Sequence, residues 1–309
     1  MEEPKKIVEI TASVSAVIPT GNYENFKPMY SIKESMSING NGDDVISKRT
    51  DELRALLKAK LDDDYEYLRI ERIKQQRKDI KFRERNGKVY PRVTSIMNAI
   101  SPIDFDPDKL KQYGSRGAIV HKQINHFFST GKWETDILQI PETKLDYMIV
   151  TQGSLKLNWE DCKFMDFWDK HGKDFTPFDM KKKRKSKKKQ EEPELELINP
   201  TDFESEVVLF NDEYMFSGSL DLPANYKGVP SIVDFKTSSN YDNKKIEQFF
   251  KQLSAYAKTY SPKVKQLVLV PLNPSNKSGY GTPIVEKNID KYFNLFLQDR
   301  VAFKEVYGI

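Results

Sequence analysis

Hydrophobic and polar residues alternate over residues 6–35. There KIVEITASVSAVI, the turn-forming PTGN and YENFKPMYSIKESM predict a β-hairpin or small β-unit. NGNGDD at 39–44 reads as a loop. From Val45 to about Arg85 the apolar spacing changes to three and four. Leu53, Leu56, Leu57 and Leu61, then Tyr65, Leu68 and Ile73, predict a largely solvated helix in a strongly charged background. A second region opens near VYPRVTSIMNAI (89–100), where Pro91 and Thr94 mark the approach to a short helix. SPIDFDPD reads as a loop, followed by a helix over about 115–128. A longer helical region, about 142–171, carries Trp159, Phe164, Phe167 and Trp168, which suit core packing.

Three β-type runs come next: ESEVVLF (204–210), YMFSGSLDL (214–222) and VPSIVDFK (229–236). NDE and PANYKG supply the turns of an antiparallel meander. Ile246, Phe249, Phe250, Leu253, Tyr256, Ala257 and Tyr260 then recur at helical spacing until Ser261–Pro262. VKQLVLVPL (264–272) reads as a buried strand, parallel to an earlier one through a right-handed crossover. A strand near 283–289 leads into a final helix from Ile289 to about Tyr307. The pattern gives an α/β fold with a mixed sheet flanked by helices and an N-terminal β-plus-helix appendage. It divides into a β-hairpin module at 1–40, a charged helical connector at 41–88 and a main domain at 89–309.

Composition narrows the classes. Charged residues make up 31% of the 309 positions, and no apolar run approaches the roughly 18–20 residues that span a bilayer, so no membrane partner is expected. The start, MEEPKKIVEI, lacks a secretory apolar stretch. A single cysteine, Cys162, excludes an internal disulfide and an iron–sulfur cluster held by this chain's cysteines; a reducing cytoplasmic setting is expected. KKKRKSKKK at 181–189 holds eight basic residues, and without them the net charge falls from +4 to −4. Contact with nucleic acid would therefore come from a local groove, from this tract within a disordered insertion at about 178–198, or from both.

The chemistry concentrates where strands end in acids. Asp234 and Lys236 share one face of a strand while Phe235 points the other way. Asp221 closes the preceding β-type run, and Glu206 lies in the run before that, with Glu204 as its competitor. Hard oxygen ligands on adjacent strands suit Mg2+ or Mn2+. An ammonium beside them adds nothing to a structural ion site, but in hydrolysis it orients water and offsets growing phosphoryl charge. Ser217, Gly218 and Ser219 are expected to leave the approach to Asp221 open. Arg116 and Lys122, with Arg92, are expected beside the site on the substrate side; His126 and His171 lack partner spacing.

Taken in order, GAIVH, SEV, GSLD, IVDFKTS and QLSAYA resemble the PD-(D/E)XK nuclease superfamily, and within it the RecB-type exonuclease branch of phage nucleases and the mitochondrial genome-maintenance exonuclease. The likeness covers roughly residues 90–309; Leu220 stands where the superfamily's name has proline. It implies a restriction-endonuclease-like core in which Asp221, Asp234 and the Phe235 carbonyl bind the metal and His121 adds an imidazole. It further implies that Lys236 positions or activates the attacking water, that Glu206 tunes the site, and that Gln252 and Tyr256 face the substrate.

The expected function is therefore a Mg2+- or Mn2+-dependent DNA nuclease. An exonuclease on single-stranded DNA or duplex ends is favoured, in recombination, repair or replication, leaving a 5′-phosphate and a 3′-hydroxyl. A phage origin would put it in the host cytoplasm. Two alternatives stand beside it: a non-catalytic DNA-binding or virion-assembly protein that keeps the fold, and a site-specific endonuclease. The N-terminal module is a candidate dock for a protein partner or for DNA.

Overall fold

Strict period-two alternation, where the chain sustains it, builds sheet with one buried face. The computed structural model describes residues 6–21, 24–38, 42–102, 107–141, 143–152, 159–178, 198–238, 240–272 and 275–309, which fall into two compact units. The expected basic insertion, with its tract at 181–189, lies outside the described residues.

The first unit comprises residues 1–81 and 303–309. Strands β1 (Lys6–Ser15) and β4 (Met29–Ile38) pair antiparallel, with the short β2 (Ile18–Gly21) and β3 (Glu24–Phe26) between them in sequence. Even-numbered positions share a face: Ile10 and Ala12 are buried against Leu53 and Leu57 of helix α1 (Asp43–Gln76). On the same face Glu34 receives the Arg49 guanidinium at 2.9 Å. Hairpin and helix thus share one small core. The end of the C-terminal helix α7 (Ile289–Tyr307) joins the unit at the far end of α1, with Arg69 donating to the Gly308 carbonyl at 2.7 Å and the Arg77 guanidinium 5.5 Å from the Tyr307 ring centre.

The second unit, residues 82–302, opens with a hairpin where the sequence had suggested continuing helix. Strands β5 (Phe82–Arg85) and β6 (Lys88–Pro91) turn through Asn86 and Gly87, both with positive φ (52° and 74°). That is the two-residue turn whose twist matches paired strands and which Asn-Gly favours. Helix α2 (Val93–Ile100) follows, then the long α3 (Pro107–Thr130). The expected helical region at 142–171 divides into α4 (Lys144–Gln152) and α5 (Phe164–His171).

Strand β7 (Phe175–Pro177) precedes β8 (Val207–Asn211), β9 (Phe216–Leu220), β10 (Leu222–Tyr226) and β11 (Val229–Lys236). The run at 214–222 is therefore two strands, not one. β9 pairs back with β8, whereas β10 pairs with β11, so the chain changes sheets at Asp221. PANY, expected as turn, is strand; Lys227 and Gly228 alone make the reversal, with φ 52° and 77°. Helix α6 (Asn243–Tyr260) starts at Asp242, whose carboxylate accepts from the Lys245 N–H at 2.9 Å. It crosses over to β12 (Gln266–Pro271), which is parallel to β11, and β13 (Ile284–Glu286) closes the edge.

The result is a mixed five-stranded sheet in the order β13-β12-β11-β10-β7, with helices packed on it: a mixed α/β fold. Its core joins Val120, Ile124, Phe127 and Phe128 of α3 to Phe164 and Phe167 of α5 and to Val233, Phe235 and Val268 of the sheet. Each fully buried side chain of this size stabilises the fold by roughly 1.5–3 kcal/mol. Among the described residues no helix is long and apolar enough to cross a membrane.

Candidate metal centre and active site

Core packing aims the polar side chains. Because Phe235 is fully buried, the alternation of β11 turns Asp234 (2% exposed) and Lys236 (side chain 18% exposed) to the opposite face. The Lys236 ammonium donates to Asp234 Oδ1 at 3.0 Å and lies 2.8 Å from Oδ2. It also donates to Gln252 Oε1 at 3.2 Å, and Gln252 Nε2 donates to the Tyr256 hydroxyl at 2.9 Å. One helical turn separates Gln252 from Tyr256, so a single face of α6 carries this relay to the end of β11.

Asp221 approaches from the sheet switch. Its Oδ2 accepts the Phe235 N–H at 2.8 Å, pinning the carboxylate between Asp234 and Lys236 in the chain direction. Its Oδ1 faces His121 Nδ1 at 3.2 Å, and Glu206 Oε1 lies 3.6 Å from the same nitrogen. His121 comes from α3, whose adjacent Val120 is anchored in the core. Gly117, one turn earlier, faces the end of β11, where a Cβ would make an ordinary 3.4 Å contact with the Thr237 hydroxyl. Glu206 takes a left-handed backbone (φ 52°) and donates its N–H to the Asp221 carbonyl at 3.0 Å, which fixes it beside the switch. Glu204, the competing acid, instead accepts from the Tyr260 hydroxyl at 3.2 Å.

The charges are tightly interdependent. Burial would pull the His121 imidazolium down, but the Asp221 charge and hydrogen bond, helped by Glu206, push it up to about 10. Burial likewise works to raise Asp221, yet His121 and Lys236 hold it below the usual carboxylate range. Burial pushes Asp234 up to about 6 against the pull of Lys236, with the Asp221 charge adding to the rise. Lys236 is raised despite its burial, because Asp234 and Asp221 favour its ammonium. Burial also lifts the Tyr256 phenol to about 12. The protonated His121 thus balances the acids in the way a bound cation would.

One ligand atom each from His121, Glu206 and Asp221 lie within 4.8 Å of one another. Two carboxylates and an imidazole on this scale suit a small divalent ion, the imidazole favouring Mn2+ over the harder Mg2+. Asp234 is not one of these three; its oxygens are engaged with Lys236. Phe235 lies opposite Val270 in the β11–β12 ladder and contributes its N–H to Asp221.

Two expected substrate contacts are engaged by the protein itself. Arg116 is 1% exposed, and its Nη2 donates to the Thr237 carbonyl, so it braces the end of β11 from within and does not line a groove. Lys122 pairs with Asp146 of α4 at 3.1 Å. The open approach expected at Ser217–Ser219 is also corrected. Ser217 is fully buried with its hydroxyl on the Tyr90 carbonyl (3.2 Å), and Gly218 lies under the Tyr256 ring. These residues are small because protein packs on them.

Three side chains near the cluster were not among the expected site residues. Tyr241 donates its hydroxyl to the Lys236 carbonyl, and the Phe249 ring centre lies 5.3 Å from the Lys236 ammonium. Arg83, on β5, bonds to the Gly218 carbonyl and, at 2.6 Å, to the Ser219 hydroxyl. The Asn-Gly pair at 86–87 was the available signal for its hairpin.

Comparison with known proteins adds no family: no protein-family model matches the chain, and neither does any curated protein.

Proposed function

We propose that this chain is a divalent-metal-dependent DNA nuclease with a PD-(D/E)XK-type core, exonucleolytic by preference, acting in recombination, repair or replication. The observation that carries the reading is the convergence of His121, Glu206 and Asp221 beside the Asp234–Lys236 strand, with Gln252 and Tyr256 behind the lysine. A set of ordered motif residues spread over more than 130 positions of chain meets at one end of one sheet.

His121, Glu206 and Asp221 would hold the ion, with Asp234 and the Phe235 carbonyl as its further neighbours on β11. A bound Mg2+ or Mn2+ supplies Lewis-acid polarisation of a phosphoryl oxygen and eases deprotonation of water. The protein's own groups then do the remaining work. Lys236, held between Asp234 and Gln252, keeps one N–H to orient the nucleophilic water, while its charge offsets the charge growing on the phosphoryl oxygens. Tyr256, through Gln252, fixes the lysine's position. Asp221, hydrogen-bonded to the β11 backbone, keeps the acids in register with the lysine.

The test is digestion of labelled single- and double-stranded DNA with Mg2+ or Mn2+, comparing the wild type with Asp234→Asn and Lys236→Met. Wild-type cleavage should fall by about 100-fold or more in each variant, the range seen when a transition-state donor is removed. Equal cleavage by all three, or none by the wild type in any divalent metal, defeats the proposal. DNA binding without cleavage would instead favour a non-catalytic binding or assembly role. End-blocked and closed circular substrates separate exonuclease from endonuclease.

A further inference from the structure

Two arginines stand beside the candidate site with no ion-paired carboxylate among the described residues. Arg83 is half-buried on β5, with two of its five N–H donors given to the Gly218 carbonyl and the Ser219 hydroxyl. Arg92 follows β6 and is exposed; its backbone bridges to Ser217, setting it alongside the same strand, β9. Neither guanidinium has a carboxylate within ion-pair distance among the described residues. Burial and the nearby Arg92 charge both disfavour the Arg83 cation, while Tyr256 and Glu206 of the candidate site lie close enough to favour it. A half-buried cation held next to a second cation is a standing electrostatic cost that an anion seated between them would remove.

The distance to the cluster is set by the strand. Ser219, in β9, and Asp221, one residue past its end, are two positions apart, so their Cα atoms stand at most roughly 7 Å from each other. That is the scale of a single nucleotide step. Arg83's remaining donors are held in a rigid fork suited to phosphate oxygens, and Arg92 is the exposed partner at the rim.

We propose that Arg83 and Arg92 form a phosphate clamp on β9, binding the phosphate next to the one attacked at the carboxylate cluster. The inference rests on the nuclease reading and extends it to a defined contact with the substrate strand. The bound group is either an internal phosphodiester or a terminal phosphate, and both present the same oxygens to the clamp.

The test uses the full chain with Arg92→Met, Arg83→Met and the double variant. KM and kcat are measured on a labelled oligothymidylate carrying a 5′-phosphate or a 5′-hydroxyl. Binding of the same oligonucleotides is followed against salt in EDTA. Each substitution is expected to raise KM about tenfold, with kcat within about threefold, and to lower the salt slope of binding by about one. Equal effects on the two oligonucleotides assign the clamp to an internal phosphodiester; an effect confined to the phosphorylated one assigns it to the terminal phosphate. Arg83→Met removes hydrogen bonds to β9 and could unsettle the fold, so the exposed Arg92→Met and Arg92→Glu carry the decision, with melting as control. Unchanged KM and salt slope in Arg92→Glu, while the wild type cleaves, overturn the clamp and leave the nuclease standing. A wild type that neither binds nor cleaves DNA removes both.

Discussion

Replacing Gly218 by alanine tests how the site is supported. The added Cβ would lie 2.9 Å from both Cδ1 and Cζ of the Tyr256 ring and nearer still to Cε1, closer than carbon atoms pack. Tyr256 is 3% exposed and its hydroxyl is held by Gln252, so the ring has no free space to enter. Overpacking of this kind costs about 1–3 kcal/mol, and losing the Gln252 hydrogen bond adds about 1 kcal/mol. A total of roughly 2–4 kcal/mol leaves a folded protein within the usual stability range of about 5–15 kcal/mol. At about 2–4 °C per kcal/mol, Tm should fall by roughly 4–16 °C. The assay is thermal and urea unfolding in EDTA of Gly218→Ala, Tyr256→Ala and the double variant. With the ring removed the methyl has room, so the double variant should be more stable than the summed single effects by at least about 1 kcal/mol. Strict additivity refutes the argument that Tyr256 requires glycine at this position. Cleavage should fall in Gly218→Ala as well, because the displaced ring takes Gln252 and then Lys236 with it.

The pH dependence of the metal-free protein has a definite sign. His121 is raised to about 10, so its pairing with Asp221 stabilises the fold fully below about pH 6.5 and is lost as pH rises through 10. Melting in EDTA between pH 7 and 10.5 should show an alkaline loss that is smaller in His121→Asn; an identical loss in both counts against the pairing. Added Mn2+ should raise Tm, by the equivalent of about 2.7 kcal/mol at a hundredfold excess over Kd, and Asp221→Asn should abolish the rise. Because the ion must displace the His121 proton, the rise should be larger at pH 8.5 than at pH 6.5; the reverse trend rejects His121 as a ligand. Burial pushes the Cys162 thiol up to about 11, so a disulfide reagent at pH 8 should react with it only after denaturation. Rapid labelling of the native protein would show that the core around α5 is open.

Much of the fold follows from short-range pattern. Asp234 and Lys236 could be set on one face, and α6 oriented, because each lies inside a regular element whose period fixes the direction of every side chain. Asp221 was harder. The apolar run at 214–222 is continuous, and nothing local marks the residue at which the chain leaves β8 for β11; that break depends on which partner strand is within reach. Glu206 was favoured over Glu204 from its place in the run, but the left-handed backbone that sets it beside His121 was not legible there. Arg116 carries the same lesson for charge. Its residue type suggested a surface contact, but burial is decided by the tertiary packing of α3, which sequence spacing does not report. The hairpin at 82–91 was hidden by its setting, since the charged residues before Asn86 continue the composition of α1.

The first unit is discontinuous in sequence: residues 303–309 lie against a helix that ends at Gln76. During synthesis α1 leaves the ribosome long before Tyr307 and Gly308 arrive to meet Arg77 and Arg69. The earlier segment must wait with that end of the helix bare while the whole larger unit is made. A fragment of residues 1–81 expressed alone should accordingly fray from the Ile70–Ile73 end of α1, and supplying 303–309 as a separate peptide should restore it.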